Sequence, residues 1–291
     1  MPEIDPSAIA TSELHQYLLG AVAPRPIAFV STLSAAGVPN VAPYSFFNAF
    51  SSHPPILVFS SNRRVKNNTT KDTLANVQET GEVVINMVNY DMVYQMALAS
   101  VEYPPEVSEF EKAGLTPLPS VRVRPFRVKE SPVQMECVLR EILPLGDQGG
   151  AGHLIICEIV WMHVSDQILD AQGRIDPQKA DLMARMGRAY YCRASGPNVF
   201  PIVQEVDKIG IGVDRLPAHI RLSEILSGND LARLAAVTRL PEGSDDIRTD
   251  PEVMNALAGN AQERGPHLHR YAKICIANGE IDKAWQVLLA E

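Results

Sequence analysis

Three neighbouring segments hold the most informative part of the chain: APYSFFN (residues 42–48), PPILVFSSNRR (residues 54–64) and TKDT (residues 70–73). The first is a loop with aromatic and amide side chains. The second contains a short apolar run, Ile56 to Ser60, that follows two prolines. This run is too short for a helix and is predicted to be a strand. A basic turn rich in hydroxyl groups follows and leads into a predicted helix start.

The rest of the first 165 residues is also predicted to be mainly β. Arg25–Leu33 is predicted to form a strand, and Ser34–Gly37 a hairpin turn into Val38–Ala42. Further strands are predicted at Glu82–Val88, Val121–Val128, Gln134–Ile142 and His153–Val164. About six or seven strands of roughly five to ten residues favour a closed or nearly closed barrel over a parallel α/β sheet.

Helices interrupt the strands rather than alternate with them, and they dominate the end of the sequence. Asp72 or Thr73 is predicted to cap a helix that runs to about Thr80 and ends at Gly81. Other helices are predicted at Tyr90–Ser100, Val107–Lys112, Pro177–Met186, Ser223–Val237, Pro251–Ala258, Leu268–Asn278 and Ile281–Ala290. Because strand patterns stop after residue 196, we expect a β domain of residues 1–196 and a helical C-terminal extension of residues 197–291.

The composition is that of an ordinary globular protein. The 291 residues carry a formal net charge of −8, with 46% hydrophobic and 21% charged residues. No run of about 18 apolar residues predicts a transmembrane helix, and the N-terminal sequence lacks the features of a secretory signal. Four scattered cysteines without a CxxC pair indicate a reducing compartment, so a cytoplasmic location is expected. No dense basic run predicts nucleic-acid binding, and no metal is expected, because His267 and His269 alone are too few ligands.

The basic turn has the chemistry that an organic phosphate requires. A phosphate dianion binds Arg or Lys, hydroxyl donors and free backbone N–H groups. The run from Ser60 to Arg64 lies where a strand ends, and Lys71 and Thr73 lie at the N-terminus of a predicted helix. These two groups predict two halves of a phosphate site. A solvated loop with an ordinary helix cap would explain the same residues.

The aromatic loop has the groups that a flat ring requires. Tyr44, Phe46, Phe47 and Asn48 offer aromatic walls and an amide for the polar edge of a ring. A ring on this loop, with its phosphate in the basic turn, suggests FMN as the ligand. Phe46, Phe47 and Phe50 could instead be core residues, and for any single aromatic residue the core role is favoured. Hydroxyl groups at the end of the first strand either donate to the ribityl chain and phosphate or have no role beyond the strand.

The sequence contains no GxSxG, no Walker loop and no GxGxxG motif. Hydride transfer between a nicotinamide and a flavin needs no protein nucleophile, because the cofactor supplies the chemistry and the protein holds the two rings in contact. The missing motifs are therefore consistent with a flavin protein that binds any nicotinamide without a Rossmann domain.

Six motifs in order along the chain resemble the flavin reductase-like family, which comprises flavoredoxins and small flavin reductases. These motifs are RPIAFVST (residues 25–32), APYSFFN, SSNRR with KDT, TGEVVINMV (residues 80–88), EFEKAGLTP (residues 109–117) and Gly152-His153. The resemblance spans roughly residues 15 to 195. It implies the FMN-binding split-barrel fold, mainly β with interrupting helices, in a homodimer with FMN near the subunit interface.

The resemblance also implies roles for individual residues. Two hydroxyls match the end of the family's first strand: Ser31 and Thr32. The residues that match the loop around the ribityl chain and ring are Ala42, Tyr44, Ser45, Phe46, Phe47 and Asn48. Those that match the phosphate-binding segment are Ser60, Ser61, Asn62, Arg63, Lys71 and Thr73. His153 matches the histidine of a Gly-Asp-His motif that lies near the nicotinamide in some members, although Ala151-Gly152 precedes it here.

The leading hypothesis is an FMN-binding oxidoreductase that passes reducing equivalents from NADH or NADPH to flavin or onward to a small-molecule acceptor. Within it, FMN is either a substrate that leaves or a prosthetic group that stays. A second hypothesis is a non-catalytic FMN-binding protein whose helical extension docks a partner. A third is a barrel that binds no flavin.

Overall fold

The computed structural model describes residues 1–202 and 207–290. Its strands are β1 (Arg25–Pro26), β2 (Ala28–Leu33), β3 (Pro39–Tyr44), β4 (Phe47–Ser52), β5 (Pro55–Asn62), β6 (Glu82–Met87), β7 (Pro117–Leu118), β8 (Arg127–Val128), β9 (Val133–Pro144), β10 (Gly152–Val164), β11 (Leu182–Arg185) and β12 (Tyr191–Ala194). Its α-helices are α1 (Thr11–Ala21), α2 (Asp72–Thr80), α3 (Val93–Leu98), α4 (Glu109–Lys112), α5 (Pro177–Ala180), α6 (Ala218–Arg221), α7 (Gly228–Leu234), α8 (Pro251–Ala258), α9 (Ala261–Ala277) and α10 (Ile281–Leu289). The chain divides into two compact units, residues 1–200 and 201–291.

One antiparallel sheet organises the first unit, with seven strands in the order β3-β2-β6-β9-β10-β5-β4. The two edge strands, β3 and β4, are consecutive in the chain and are separated by only Ser45 and Phe46. This short connection brings the two edges of the sheet together at one corner, where the Ser60 N–H of β5 donates to the Phe46 carbonyl oxygen at 2.8 Å. The predicted mainly β, split-barrel fold is confirmed.

Side chains of β2 alternate between two hydrophobic clusters. Ala28 and Val30 face the inner cluster, which also contains Phe59 and Ile155, whereas Phe29 faces an outer cluster beneath α3 and α4. Burying one such large side chain stabilises the fold by roughly 1.5–3 kcal/mol. Because successive residues of a strand point to opposite faces, the polar residues that end β2 must also divide between the two sides.

The local pattern predicted α2 correctly. The helix runs from Asp72 to Thr80, and Gly81 ends it in the left-handed conformation, at φ 68°. The expected cap by Asp72 or Thr73 was wrong. The N-cap residue is Lys71, whose ammonium group has no acceptor for a capping bond, and the Thr73 hydroxyl donates to Asn40 at 2.9 Å.

Several predicted elements were wrong in extent. In the second unit, the helices predicted at Ser223–Val237 and Leu268–Asn278 are Gly228–Leu234 and Ala261–Ala277. Only Arg127–Val128 of the predicted strand Val121–Val128 is a strand. The preceding backbone turns so that the N–H groups of Val121 and Arg122 bind the carboxylate of Glu136 at 2.9 and 2.6 Å.

The predicted helix Pro177–Met186 stops at Ala180, after one turn. Asp181 follows in a left-handed conformation, at φ 47°, and the chain then enters β11. The apolar residues that follow Asp181 therefore pair with other strands instead of extending the helix.

The second unit is helical, as expected for the C-terminal extension. Its described helices surround a separate core that contains Leu234, Leu268, Ile276 and Trp285. The Trp285 indole N–H donates to the Leu234 carbonyl oxygen at 3.1 Å, which satisfies the polar atom of this buried ring. The expected domain boundary at residues 196–197 stays a prediction. No helix among the described residues is long and apolar enough to cross a membrane.

Candidate functional site

A polar cluster forms where β2, β3 and α2 meet. Thr32 lies opposite Asn40 in the β2–β3 register. The Asn40 side-chain oxygen accepts hydrogen bonds from the hydroxyls of Thr32, at 3.3 Å, and Thr73, at 2.9 Å. Asn76 in α2 donates to the Thr32 hydroxyl at 3.0 Å. Hydroxyl groups from a strand and a helix therefore converge at the N-terminus of α2.

A buried carboxylate orients this cluster. Glu109 in α4 is only 5% exposed, and its two oxygens accept from the Asn40 amide at 3.1 and 3.0 Å. It also accepts from the Val41 N–H at 3.1 Å. Burial is the main cause that raises the pKa of Glu109. With its amide nitrogen held here, Asn40 must direct its oxygen toward the hydroxyls of Thr32 and Thr73.

Two cations line a small pocket beside the polar cluster. Arg64 and Lys71 share this pocket of about 40 Å³ with Asn40, Thr73 and Glu102. The Lys71 ammonium lies 5.0 Å from the centre of the Tyr44 ring. Burial, and then the neighbouring Arg64, lowers the pKa of Lys71. The first N–H groups of a helix lack intrahelical partners and carry partial positive charge, so the start of α2 adds to the positive potential.

The two adjacent arginines have different roles. The Arg63 guanidinium donates to the side-chain and backbone oxygens of Asn68, both at 2.6 Å, and is held within its own loop. Arg64, rather than the predicted Arg63, lines the pocket. No pattern in the sequence separates two consecutive arginines, because the distinction depends on how the loop turns after β5.

Ser31 lies on the opposite side of β2 from Thr32. It pairs with Val41 and Val84, and its hydroxyl is buried without a hydrogen-bond partner among the described residues. The structure therefore brings Thr32, but not Ser31, to the polar cluster. The alternation of side chains along a strand causes this separation.

Tyr44 joins the aromatic loop to the polar cluster. Its ring is 5% exposed and packs against Phe59 with the ring centres 5.2 Å apart. Its hydroxyl faces those of Thr73 and Ser61 without bonding to either, and burial raises the pKa of Tyr44 to about 12. The Ser61 hydroxyl is likewise buried without a bond. These two hydroxyls have protons free to donate, and the Tyr44 ring lies beside the Lys71 ammonium, so the residues present fit the phosphate of a flavin nucleotide, whose oxygens accept hydrogen bonds.

The remaining loop residues are more accessible. Phe47 packs against the inner core, and Ala42 lies on the same side of β3 as Tyr44. Phe46 contacts His15 of α1, with the ring centres 6.1 Å apart. Asn48 is exposed, and its side-chain oxygen accepts from the next backbone N–H at 2.8 Å.

Arg25 connects this loop to a large groove. It donates to Ser45 at 3.4 Å, to the Leu19 carbonyl at 2.7 Å and to the Met186 carbonyl at 3.2 Å. Met186 lines a groove of about 1200 Å³ between α1 and the β11–β12 hairpin, together with Tyr17, Tyr190, Tyr191 and Arg188 among others. A groove of this size with aromatic walls can hold a flat organic molecule.

His153 and the residues around it close the end of the β5–β10 pair. The His153 ring is 8% exposed, and its Nδ1 lies 3.3 Å from the Ser61 carbonyl oxygen. The Ser60 hydroxyl donates to the Asn62 side chain at 2.8 Å. These bonds hold the strand end that precedes Arg64. A role for the buried His153 toward a nicotinamide stays a prediction.

Several residues of the cluster carry no signal in the sequence. Asn40, Asn76 and Glu109 lie outside the predicted site, and their contacts join segments up to 69 residues apart. Among the described residues, no group of three or more His, Cys, Asp or Glu side chains is arranged to hold a metal ion.

Comparison with known proteins identifies relatives of the first unit. The family model described as flavin reductase like domain matches residues 20–179. An uncharacterized protein of Aquifex aeolicus is 43% identical over 183 residues, which cover 63% of this chain and 91% of the relative. These matches confirm the resemblance predicted from the motifs.

Solved structures of two other proteins are also similar to this chain. Nitrilotriacetate monooxygenase component B from Bacillus cereus matches with a TM-score of 0.63 and 33% identity, over 66% of this chain and 95% of that chain. The 2-nitrobenzoate 2-nitroreductase NbaA from Pseudomonas fluorescens matches with a TM-score of 0.60 and 28% identity, over 75% and 99% of the two chains. The polar cluster, both pocket cations and the aromatic loop fall within the matched family domain.

Proposed function

The chain belongs to the flavin reductase-like family, and we propose that it is an FMN-binding oxidoreductase that passes reducing equivalents from NADH or NADPH to flavin or onward to a small-molecule acceptor. The observation that carries this proposal is the meeting of Arg64, Lys71 and the Thr73 hydroxyl at the start of α2, beside the aromatic loop. That arrangement supports a phosphate at one end of the ligand and a flat ring at the other.

The phosphate end depends on charge and preorganised hydrogen bonds. Arg64 and Lys71 would neutralise the phosphate, and the free N–H groups at the start of α2 would donate to its oxygens. Each threonine hydroxyl has a single proton, and Thr32 and Thr73 both donate theirs to Asn40. The Thr73 hydroxyl would therefore donate to a phosphate oxygen after rotating away from Asn40.

At the ring end, Phe46 and the backbone of residues 44–48 would hold and orient the isoalloxazine. When bound, FMN supplies the hydride-accepting and electron-transferring chemistry. The side chains of this chain position the ring and shield one face from water; none is required to act as a nucleophile. We assign to the same proposal the contacts of the ribityl chain with Ala42, Ser45 and Asn48, and the nicotinamide-side role of His153.

A homodimer with FMN near the interface is part of the proposal. Strand β4 is an edge of the sheet and is exposed along most of its length, with Phe50 68% exposed. Exposed edge strands with large apolar side chains are usually covered by a partner. A cytoplasmic location is also proposed, because all four cysteines are free thiols, as in proteins of reducing compartments.

An anaerobic titration tests the function directly. The purified protein should bind added FMN, and NADH or NADPH should then bleach the visible absorbance of the bound flavin. Yellow colour that persists after extensive dialysis would identify FMN as a prosthetic group, and its loss would identify a substrate. Tight FMN binding without reduction by either nucleotide would contradict the enzymatic proposal and favour the non-catalytic alternative. Absence of FMN uptake would reject both.

A further inference from the structure

The pocket that contains Arg64 and Lys71 also contains a carboxylate that no phosphate site needs. Residues 99–103 form one wall of the pocket and bring Glu102 against Arg64. The Arg64 Nε lies 2.6 Å from a Glu102 carboxylate oxygen. The Arg64 side chain is 23% exposed, whereas the Glu102 side chain is 66% exposed, so the carboxylate reaches the pocket from the solvent side.

The hydrogen bonds of Arg64 show what an incoming phosphate would meet. Its Nε donates to Glu102, and its Nη1 donates to the Thr69 hydroxyl at 2.9 Å and to the Thr70 carbonyl. Only Nη2 makes no hydrogen bond within the described residues. Two-point binding of phosphate through Nε and Nη2, the usual geometry of an arginine fork, therefore requires Glu102 to leave.

The charges lead to the same conclusion. The hydrogen bond and ion pair with Arg64 lower the pKa of Glu102. The same carboxylate opposes the lowering of the Lys71 pKa by burial and by Arg64, so its charge is felt at both cations. A carboxylate held here would also repel a phosphate dianion. Exposed ion pairs contribute little stability, about 0–1 kcal/mol, so Glu102 can be displaced by an anion of higher charge.

We propose, on the basis of the FMN-binding function proposed above, that Glu102 is a specificity-determining residue that competes with the FMN phosphate for Arg64. It weakens the phosphate contact without affecting the ring contact. The competition lowers the preference of the site for FMN over riboflavin. It also favours release of bound FMN into solvent, as expected for a substrate, over permanent binding as a prosthetic group.

The test compares Glu102→Gln with a matched control, Glu106→Gln. Glu106 is exposed, lies on the same connecting segment, does not line the pocket and forms no ion pair within the part of the chain that the structure describes. Dissociation constants of FMN and riboflavin are measured by quenching of flavin fluorescence. E102Q should bind FMN about three- to tenfold more tightly at low ionic strength, with riboflavin unchanged, and this gain should shrink at high salt. E106Q should match the wild type for both ligands.

The Arg64→Gln variant shows whether Glu102 affects FMN binding through its ion pair with Arg64. If Glu102 acts through Arg64, adding E102Q to R64Q should give a much smaller gain in FMN affinity than it gives in the wild type. Unchanged or weaker FMN binding by E102Q, an equal gain for riboflavin, or a full gain in the R64Q background would overturn the inference. If the wild type binds no FMN, both the proposed function and this inference fail. If the wild type binds FMN and E102Q shows no gain, only the inference fails.

Discussion

Replacement of Lys71 by methionine tests the phosphate assignment. Methionine keeps most of the length of the side chain and removes the ammonium group, which lies 5.0 Å from the centre of the Tyr44 ring, so the change mainly removes the charge. A unit charge about 4 Å from another contributes roughly 4 kcal/mol at an effective dielectric constant near 20. Lys71 is half-buried, and desolvation of the two charges offsets about half of that energy. We therefore expect a loss of about 2 kcal/mol, or roughly thirtyfold in FMN affinity.

Riboflavin provides the internal control, because it has the same ring and ribityl chain but no phosphate. Its affinity should change less than about threefold in K71M. Lys66→Met is the matched variant: Lys66 is exposed in the same loop and does not line the pocket, so removal of its charge should leave both ligands nearly unaffected. Equal losses of FMN and riboflavin in K71M would refute the assignment of the phosphate to this pocket.

The same lysine predicts a dependence on pH. Burial lowers the pKa of Lys71 from its ordinary value of 10.5, so the ammonium loses its proton at a lower pH than an exposed lysine does. The charged form binds the phosphate. FMN affinity should therefore be highest below this lowered pKa and fall as the pH rises through it. Titrations of FMN across the alkaline range should show this decline in the wild type, and K71M should lack it.

Three further predictions, which use four variants, concern the surroundings of the site. Arg64→Ala should weaken FMN binding more than Arg63→Ala in parallel titrations, because Arg64 lines the pocket and the Arg63 guanidinium is bound to Asn68 outside it; the reverse order would assign the phosphate to Arg63. Gly152→Ala should lower the free energy of unfolding by about 1–3 kcal/mol in denaturant titrations, since its Cβ would lie 2.5 Å from the Ser60 hydroxyl; unchanged stability would show that the hydroxyl moves away freely. His153→Ala should preserve FMN affinity and slow reduction by NADH or NADPH in stopped-flow measurements, and unchanged rates would remove His153 from the mechanism.

Local patterns predicted the elements that depend on local interactions. The helix from Asp72 ends at Gly81 because glycine tolerates the left-handed conformation required there. The run Val121–Val128 has the alternating pattern of a strand, but the buried carboxylate of Glu136 binds the backbone at Val121 and turns it away from the sheet. A single carboxylate 15 residues away in sequence thus determines this conformation, and no pattern within the run indicates it.

The residues of the candidate site also divide into those that the sequence predicted and those that depend on long-range contacts. Lys71, Thr73 and Thr32 were identified by chemistry and position, and the structure brings them together. Asn40, which connects the two threonines, is an ordinary strand residue in the sequence. Its orientation depends on a hydrogen bond to Glu109, which lies 69 residues away in the sequence. Long-range contacts of this kind are set by the fold as a whole.

Tyr44 shows that one side chain can be a core residue at one end and part of the polar cluster at the other. The sequence left both roles open, and the structure gives the two ends of the side chain different environments. The ring packs against Phe59 in the barrel core, while the hydroxyl reaches the polar cluster near Thr73. In the proposed site, ring stacking on the cofactor would then fall to Phe46, which is half-buried and contacts His15 and Arg25. Tyr44 ends β3 and Phe46 lies in the two-residue connection to β4, so the turn of the chain between these strands decides whether Phe46 can face the proposed ligand.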